Sequence, residues 1–121
     1  LMFRISQELG IKQGGQALIT GESLGEVASQ TLVNIVAVEK VATLPIFRPL
    51  IGYDKNEIVN EARQIGTYAI SIQPHDDCCS LFMPKQVITR ARVQDVEKEE
   101  GKIEIEKFVK GALLKIEQLY I

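Results

Sequence analysis

Residues 17–32 read ALITGESLGEVASQTL. Ala17, Leu18, Ile19 and Thr20 make a short apolar run that stops at Gly21, the pattern of a strand buried within a parallel sheet. Ser23 is followed three residues later by Glu26, a capping-box spacing, and Val27, Thr31, Ile35 and Val38 then recur at roughly helical intervals. The spacing predicts a helix that starts near Ser23. A strand that passes through a glycine into a helix is half of a βαβ unit, which sets the fold class to be tested in the flanking sequence.

Upstream, Met2, Phe3, Ile5 and Leu9 form a helical stripe that the pattern ends at Gly10, where a left-handed cap suits glycine, and Lys12 to Gly15 is rich in turn residues. Downstream, Pro45 to Leu50 is too proline-bounded for a helix interior and reads as a short extended element. Asp54 and Glu57 repeat the capping-box spacing before Ile58, Ala62 and Ile65, with Gly66 as the stop. Tyr68 to Ile72 alternates around Ile70 and Ile72, a weak strand signal. Gln73 to Arg92 is irregular and contains Pro74, Pro84 and both cysteines. Val93 to Glu100 reads as a separate helical turn broken by Gly101. From Ile105, the positions Phe108, Val109, Ala112, Leu113, Ile116, Leu119 and Tyr120 predict an amphipathic helix over about 104–120 that needs a partner surface. This order predicts an α/β domain, Rossmann-like in part, with a mainly parallel sheet. Ligands of such folds sit beyond the C-terminal ends of strands, which selects Thr20–Gly25 and Gln73–Cys79.

The chain of 121 residues, 45% of them hydrophobic, has material for one core. A formal charge of −2 offers no long-range attraction for a polyanion, so net charge does not support autonomous nucleic-acid binding. Lys85, Arg90 and Arg92 form a local basic stretch whose plainer reading is a solvated loop. No run approaches the roughly 18 apolar residues of a membrane span, and the first residues read as an amphipathic helix and not as a signal peptide, so the expected location is cytoplasmic. The opening at Leu1, in mid-helix and without a cap residue, leads to the expectation of a piece of a larger chain.

Two segments are candidates for chemistry. In Thr20–Thr31, a glycine at a strand end lets a base or ribose approach the backbone, and free N–H groups at a helix start favour an anion. The stretch matches neither a Walker loop nor a Rossmann fingerprint, so by pattern alone a plain strand-to-helix turn is the favoured reading. Glu22 and Glu26 are paired carboxylates that helix capping accounts for without catalysis. In Gln73–Phe82, QPHDDCCSLF, two cysteines with His75 do not complete a four-ligand zinc or iron–sulfur site, and no metal site is expected. Cys78 and Cys79 could join only through a strained vicinal ring, which leaves a reactive nucleophile or sulfur carrier on one side and two buried hydrophobe-like thiols on the other. Asp76 and Asp77 would raise a thiol pKa, whereas Lys85, Arg90 or Arg92 would offset them if the loop folds back. His75, the single histidine, has no serine elbow to serve in a hydrolase triad.

ALITGESLGEVASQTL (17–32), RPLIGYDKNEI (48–58) and IGTYAISIQPHDDCCSLFMP (65–84) together resemble consecutive signature blocks of the tRNA 4-thiouridine sulfurtransferases, the ThiI family, in that family's order and spacing. The resemblance implies the C-terminal part of an adenine-nucleotide α-hydrolase-like (PP-loop) domain, in which ATP with magnesium adenylates a tRNA uridine and persulfide sulfur replaces the activated oxygen. It also implies a link to thiamine thiazole synthesis, a cysteine desulfurase as persulfide donor, and ATP contacts at Gly21 and Gln30, about two helical turns apart. The family's sulfur-handling cysteine falls on Cys78, with Cys79 as the alternative. It would attack the carrier persulfide or resolve the intermediate as a disulfide with a second cysteine.

No SGGxDS-type loop, which would wrap pyrophosphate with backbone N–H groups, occurs in these residues, nor do ferredoxin-like or THUMP RNA-binding regions. The expectation is therefore residues 1–121 as the C-terminal portion of such a domain, inactive alone, either a fragment or one half of a split enzyme whose partner chain carries the missing loop. Truncation of a parallel sheet further predicts a homo-oligomer or strand exchange. The rival is a non-enzymatic interaction or dimerisation module, marked by an open apolar stripe at Phe108, Leu113, Ile116 and Tyr120. A thiol redox protein would need a CxxC motif, and there is none.

Overall fold

The computed structural model describes residues 1–75 and 87–118. Among them, a two-stranded parallel sheet pairs β1 (Leu18–Ile19) with β2 (Ile46–Phe47) in the register Leu18 to Ile46 and Ile19 to Phe47. The crossover between the strands contains α2 (Leu32–Glu39), and α1 (Met2–Lys12) precedes β1. After β2 come α3 (Lys55–Gln64), α4 (Tyr68–Ser71), α5 (Val93–Glu100) and α6 (Ile105–Leu114). The protein is thus α/β with parallel pairing, as the order of sequence signals predicts.

One face of the strand pair is covered. Leu18 and Ile46 are half-buried, and α1 packs over β1 at Gly10, where an added Cβ would meet the Leu18 and Leu44 side chains at 3.7 Å. Gln7 secures the same junction by accepting from the backbone N–H groups of Thr43 and Leu44. The other face is bare: Ile19 and Phe47, partners in register, are 75% and 60% exposed. Helix α6 packs on α1, and α5 packs on α2. Among the described residues the buried apolar ones are Ile35 and Ala37 of α2 and Val109 of α6, with Ser23 and Asn34 as the buried polar ones.

Helix ends follow local chemistry. Asp54 and Glu57 form the predicted capping box of α3, Asp54 Oδ1 accepting from Asn56 N and Glu57 N while Glu57 Oε2 accepts from Asp54 N. The same helix closes in a Schellman motif, with Gly66 N donating to Arg63 O and Thr67 N to Ala62 O, and Gly66 at φ 77° supplies the left-handed residue this requires. Helix α1 runs through Gly10 to Lys12, two residues beyond the expected stop, because Gly14 N and Gly15 N find Ile11 O and Gly10 O and so close the helix there instead.

Two further expectations are corrected. Tyr68–Ser71 is a helical turn and not a strand: Ser71 N and Ile72 N donate to Thr67 O and Tyr68 O, and the Arg63 guanidinium lies 4.7 Å from the Tyr68 ring centre, pinning the turn to α3. Two alternating isoleucines with no neighbouring strand among the described residues to pair with satisfy a turn just as well. Helix α2 begins at Leu32, not near Ser23, because both members of the supposed capping box bond elsewhere and Gly25, at φ 82°, breaks helical continuity. Thr31 is the real cap, its Oγ1 accepting from Asn34 N at 3.2 Å. Of the helix predicted over about 104–120, Ile105–Leu114 is helical, the helix ends there with Lys115 as its C-cap so that residues 115–118 are not helical, and residues 119–121 lie outside the described ones.

Candidate functional site

The parallel ladder runs from Leu18 N donating to Pro45 O to Thr20 N donating to Phe47 O, 3.0 Å. Gly21 is the first residue beyond it. From here the chain leaves both strands at their C-terminal ends, through residues 20–31 after β1 and residues 48–54 after β2, which is where α/β sheets hold their ligands.

The two loops are bonded into one body. Leu24 N donates to Ile51 O at 3.1 Å, Lys55 N to Glu26 Oε1 at 3.1 Å, and the Ser23 hydroxyl to Tyr53 O at 2.5 Å. Ser23 is only 2% exposed, so this hydroxyl has exchanged water for a carbonyl deep in the junction. The loop also closes on itself, with Gln30 N donating to Val27 O and Gly25 N to Gln30 O.

The two residues expected to contact ATP sit on this loop, Gly21 at its start and Gln30 near its end. They are not separated by two helical turns; the irregular loop folds Gln30 back, so that its Oε1 accepts from Ser23 N at 3.4 Å. That assignment directs the carboxamide oxygen to the backbone donor and leaves the amide N–H groups for another acceptor. A Cβ at Gly21 would meet no atom of the described residues within 4 Å, so these residues make no steric demand for glycine there.

Two residues not singled out in the sequence organise the surroundings. Arg48, directly after β2 and 12% exposed, donates from Nε to Glu22 Oε2 at 2.8 Å and pairs from Nη1 with Glu39 Oε2 at 2.8 Å, at the end of α2. Thr20 Oγ1 donates to the same Glu22 oxygen at 2.8 Å. Arg48 Nη2 is buried with no hydrogen-bond partner among the described residues. Burial works against the guanidinium charge, but the hydrogen bond and charge of Glu22, followed by those of Glu39, outweigh it and hold the group above its ordinary range. The one signal was positional: a charged side chain inside an apolar, proline-bounded strand segment, PIFRPL.

Asn34 is the second. It is the one polar residue within the first seven of α2, LVNIVAVE, and is buried. Its Nδ2 donates to Ser29 O at 2.8 Å and Ile88 O at 2.6 Å, and its Oδ1 accepts from Ala91 N at 2.8 Å. Thr31 Oγ1 donates to Thr89 O at 2.7 Å. These bonds fasten the stretch that follows the cysteine segment to the end of the loop that carries Gln30. Cys78 and Cys79 themselves, with Asp76, Asp77 and Lys85, lie outside the described residues. Among the described residues no group of three His, Cys, Asp or Glu side chains is arranged to hold a metal, and no helix is long and apolar enough to cross a membrane.

The model of the family described as thiamine biosynthesis protein (ThiI) matches residues 1–105. A probable tRNA sulfurtransferase of Thermus thermophilus is 52% identical over 118 residues, 98% of this chain and 29% of that protein. One from Moorella thermoacetica is 45% identical over 121 residues, covering all of this chain and 31% of its own length. Among solved structures, a 4-thiouridine synthetase in complex with RNA and bound ATP superposes with a TM-score of 0.82 at 44% identity, covering 92% of this chain and 29% of that one. The α/β arrangement around β1 and β2 is therefore part of the PP-loop ATPase fold. The chain spans less than a third of the length of the curated relatives it matches. With the family model covering 105 of its 121 residues, from α1 to the start of α6, the chain belongs to the ThiI family.

Proposed function

We propose that residues 1–121 are the C-terminal portion of the PP-loop domain of an ATP-dependent tRNA uridine 4-sulfurtransferase, and that they supply the adenosine-side contacts for ATP. The observation that carries this reading is the loop from Gly21 to Gln30. It is bonded into shape at the C-terminal end of a parallel strand, with an unhindered glycine at one end and a carboxamide oriented by Ser23 N at the other. Both groups fit the adenosine half of a nucleotide: open backbone at Gly21 admits a ribose or base, and the Gln30 amide N–H groups suit acceptors on a ring edge. The solved 4-thiouridine synthetase relative holds ATP and RNA, which supports the same substrates here.

In the reaction, ATP with magnesium would adenylate a uridine oxygen of tRNA with loss of pyrophosphate, and persulfide sulfur from a cysteine desulfurase would displace the adenylate. Cys78, or Cys79 in its place, would attack the carrier sulfur of the resulting adduct, so that its S–S bond breaks, the outer sulfur stays on the uridine and a disulfide joins the two cysteines. The bonds from Asn34 and Thr31 to residues 88–91, with that of Asn34 to Ser29 O, hold the chain that leaves the cysteine segment beside the nucleotide loop. The cytoplasm, where tRNA and ATP are found, is the location this chemistry requires, and a role in thiamine thiazole synthesis would draw on the same sulfur relay. Pyrophosphate would be held by an SGGxDS-type loop from polypeptide outside these residues.

Isothermal titration of the chain with ATP–Mg, against Gln30→Ala, tests the reading. Binding lost or weakened at least tenfold by the substitution is the expected result. Binding unchanged in the variant would remove Gln30 from the nucleotide site.

A second reading, an interaction module built on the same fold, is favoured by α6. Val109 is buried, yet Phe108 is 55% and Ile116 45% exposed, so the terminal apolar stripe is half open. Tyr120 lies outside the described residues. A chain that forms a stable homodimer through α6 and binds no nucleotide would favour this alternative.

A further inference from the structure

Arg48 is a costly residue in its position. Its side chain is largely buried, it engages carboxylates from the loop after β1 and from α2, and one of its nitrogens has no hydrogen-bond partner among the described residues. Replacing a buried ion pair by apolar packing is often neutral or stabilising, so stability alone is a weak reason for this arrangement. What the arrangement does secure is the position of one peptide. Glu22 lies between Gly21, at the mouth of the loop, and Ser23, whose N–H orients the Gln30 carboxamide and whose hydroxyl is anchored on Tyr53 O. The Glu22 carboxylate is held from two sides, by Arg48 Nε and by Thr20 Oγ1, both on Oε2. Arg48 is in turn held by Glu39 at the end of α2 and by the strand it terminates.

We propose that Arg48 is a positioning residue for the nucleotide loop, acting through Glu22 to set the Gly21 backbone and the Ser23–Gln30 contact for the adenosine half of ATP. The proposal rests on the nucleotide reading of this loop, and Arg48 itself need not touch the ligand. Geometry favours arginine over lysine here: Nε and Nη1 of one planar fork reach two carboxylates on separate elements, and a single ammonium on a flexible stem does not reproduce that span with fixed direction. Neutralising the carboxylate in Glu22→Gln should therefore have the same consequence as shortening the cation in Arg48→Lys. The double variant should be little worse than either alone, because both substitutions break one link.

The test combines amide NMR of the 121-residue chain with titration by ATP–Mg for wild type, Arg48→Lys, Glu22→Gln and the double variant. Glu22→Gln keeps the shape of the side chain and guards against a variant that merely unfolds. Without nucleotide, the Gly21 and Ser23 amide resonances and the Gln30 side-chain amide pair should move in each variant, while those of α3 and α6 stay in place. With nucleotide, the Kd should rise roughly tenfold or more in each single variant, with less than additive loss in the double. Unmoved Gly21 and Gln30 resonances in folded variants would overturn the positioning role, as would unchanged ATP affinity beside a wild type that binds. A wild type that does not bind ATP would instead count against the nucleotide reading, and the resonances in nucleotide-free protein would still decide whether Arg48 sets the loop.

Discussion

At the scale of single residues, side chains at loop junctions act through partners that are distant in sequence. Glu100 illustrates this: the Arg4 guanidinium, from the opposite end of the chain, donates to it at 2.9 Å. This hydrogen bond lowers the carboxyl's pKa below the ordinary range, and partial burial opposes it without reversing the shift. A carboxyl whose pKa is depressed by folding adds stability above its unfolded pKa, about 4.3 for glutamate, and loses it as pH falls through the folded value. Urea denaturation at a series of pH values should show the wild type losing more stability than Glu100→Gln on passing from pH 6 to pH 3, with the two curves converging at the acid end. Parallel curves would mean the pair contributes nothing. Neither this pair nor the Arg48 pair was legible in the sequence, because 96 and 26 positions separate their members and no local pattern records them. The expectation of ATP contacts at Gly21 and Gln30 came from family resemblance and from no local pattern, while the contact between Gln30 and Ser23 needed the loop conformation.

At the scale of elements, one local pattern occurs twice with opposite outcomes. Asp54-x-x-Glu57 forms its capping box, whereas Ser23-x-x-Glu26 forms none. The residues between explain the difference. Lys55 and Asn56 accept helical geometry, but Gly25 takes a left-handed φ of 82°, and Ser23 and Glu26 then bond to Tyr53 O and Lys55 N across the sheet end. In each case the motif lists available donors and acceptors, and tertiary partners decide which are used. The broad rhythm of the fold was legible, since the apolar periods of α1, α3 and α6 and the runs at β1 and β2 require no distant partner to be recognised. Asp54→Ala should cost about 1 kcal/mol, the usual worth of an N-cap side chain, measured as a lower urea midpoint with an unchanged m-value. A change under a few tenths of a kcal/mol would mean that water or Glu57 alone satisfies the first turn of α3.

At the scale of the whole molecule, exposed apolar surface dominates. Specific faces carry it. Ile19 and Phe47 leave one side of the strand pair bare, and α2 carries Leu32 and Val36 at 66% and 62% exposure although Ile35 and Ala37 on the same helix are buried. A helix that is apolar nearly all round belongs in an interior, and a parallel sheet is ordinarily covered on both faces. Faces of this kind invite a partner, so the 121 residues on their own should cover them with a second copy. Light scattering after gel filtration should give a mass above 13.5 kDa that rises with concentration, and Phe47→Asp should return it toward the monomer by placing an unpaired carboxylate on the bare face. The substitution is at an exposed position, so melting of the monomer should change little while association is lost. A chain that stays monomeric at high concentration and binds no apolar dye would contradict the bare face, and would place its cover among residues of this chain itself.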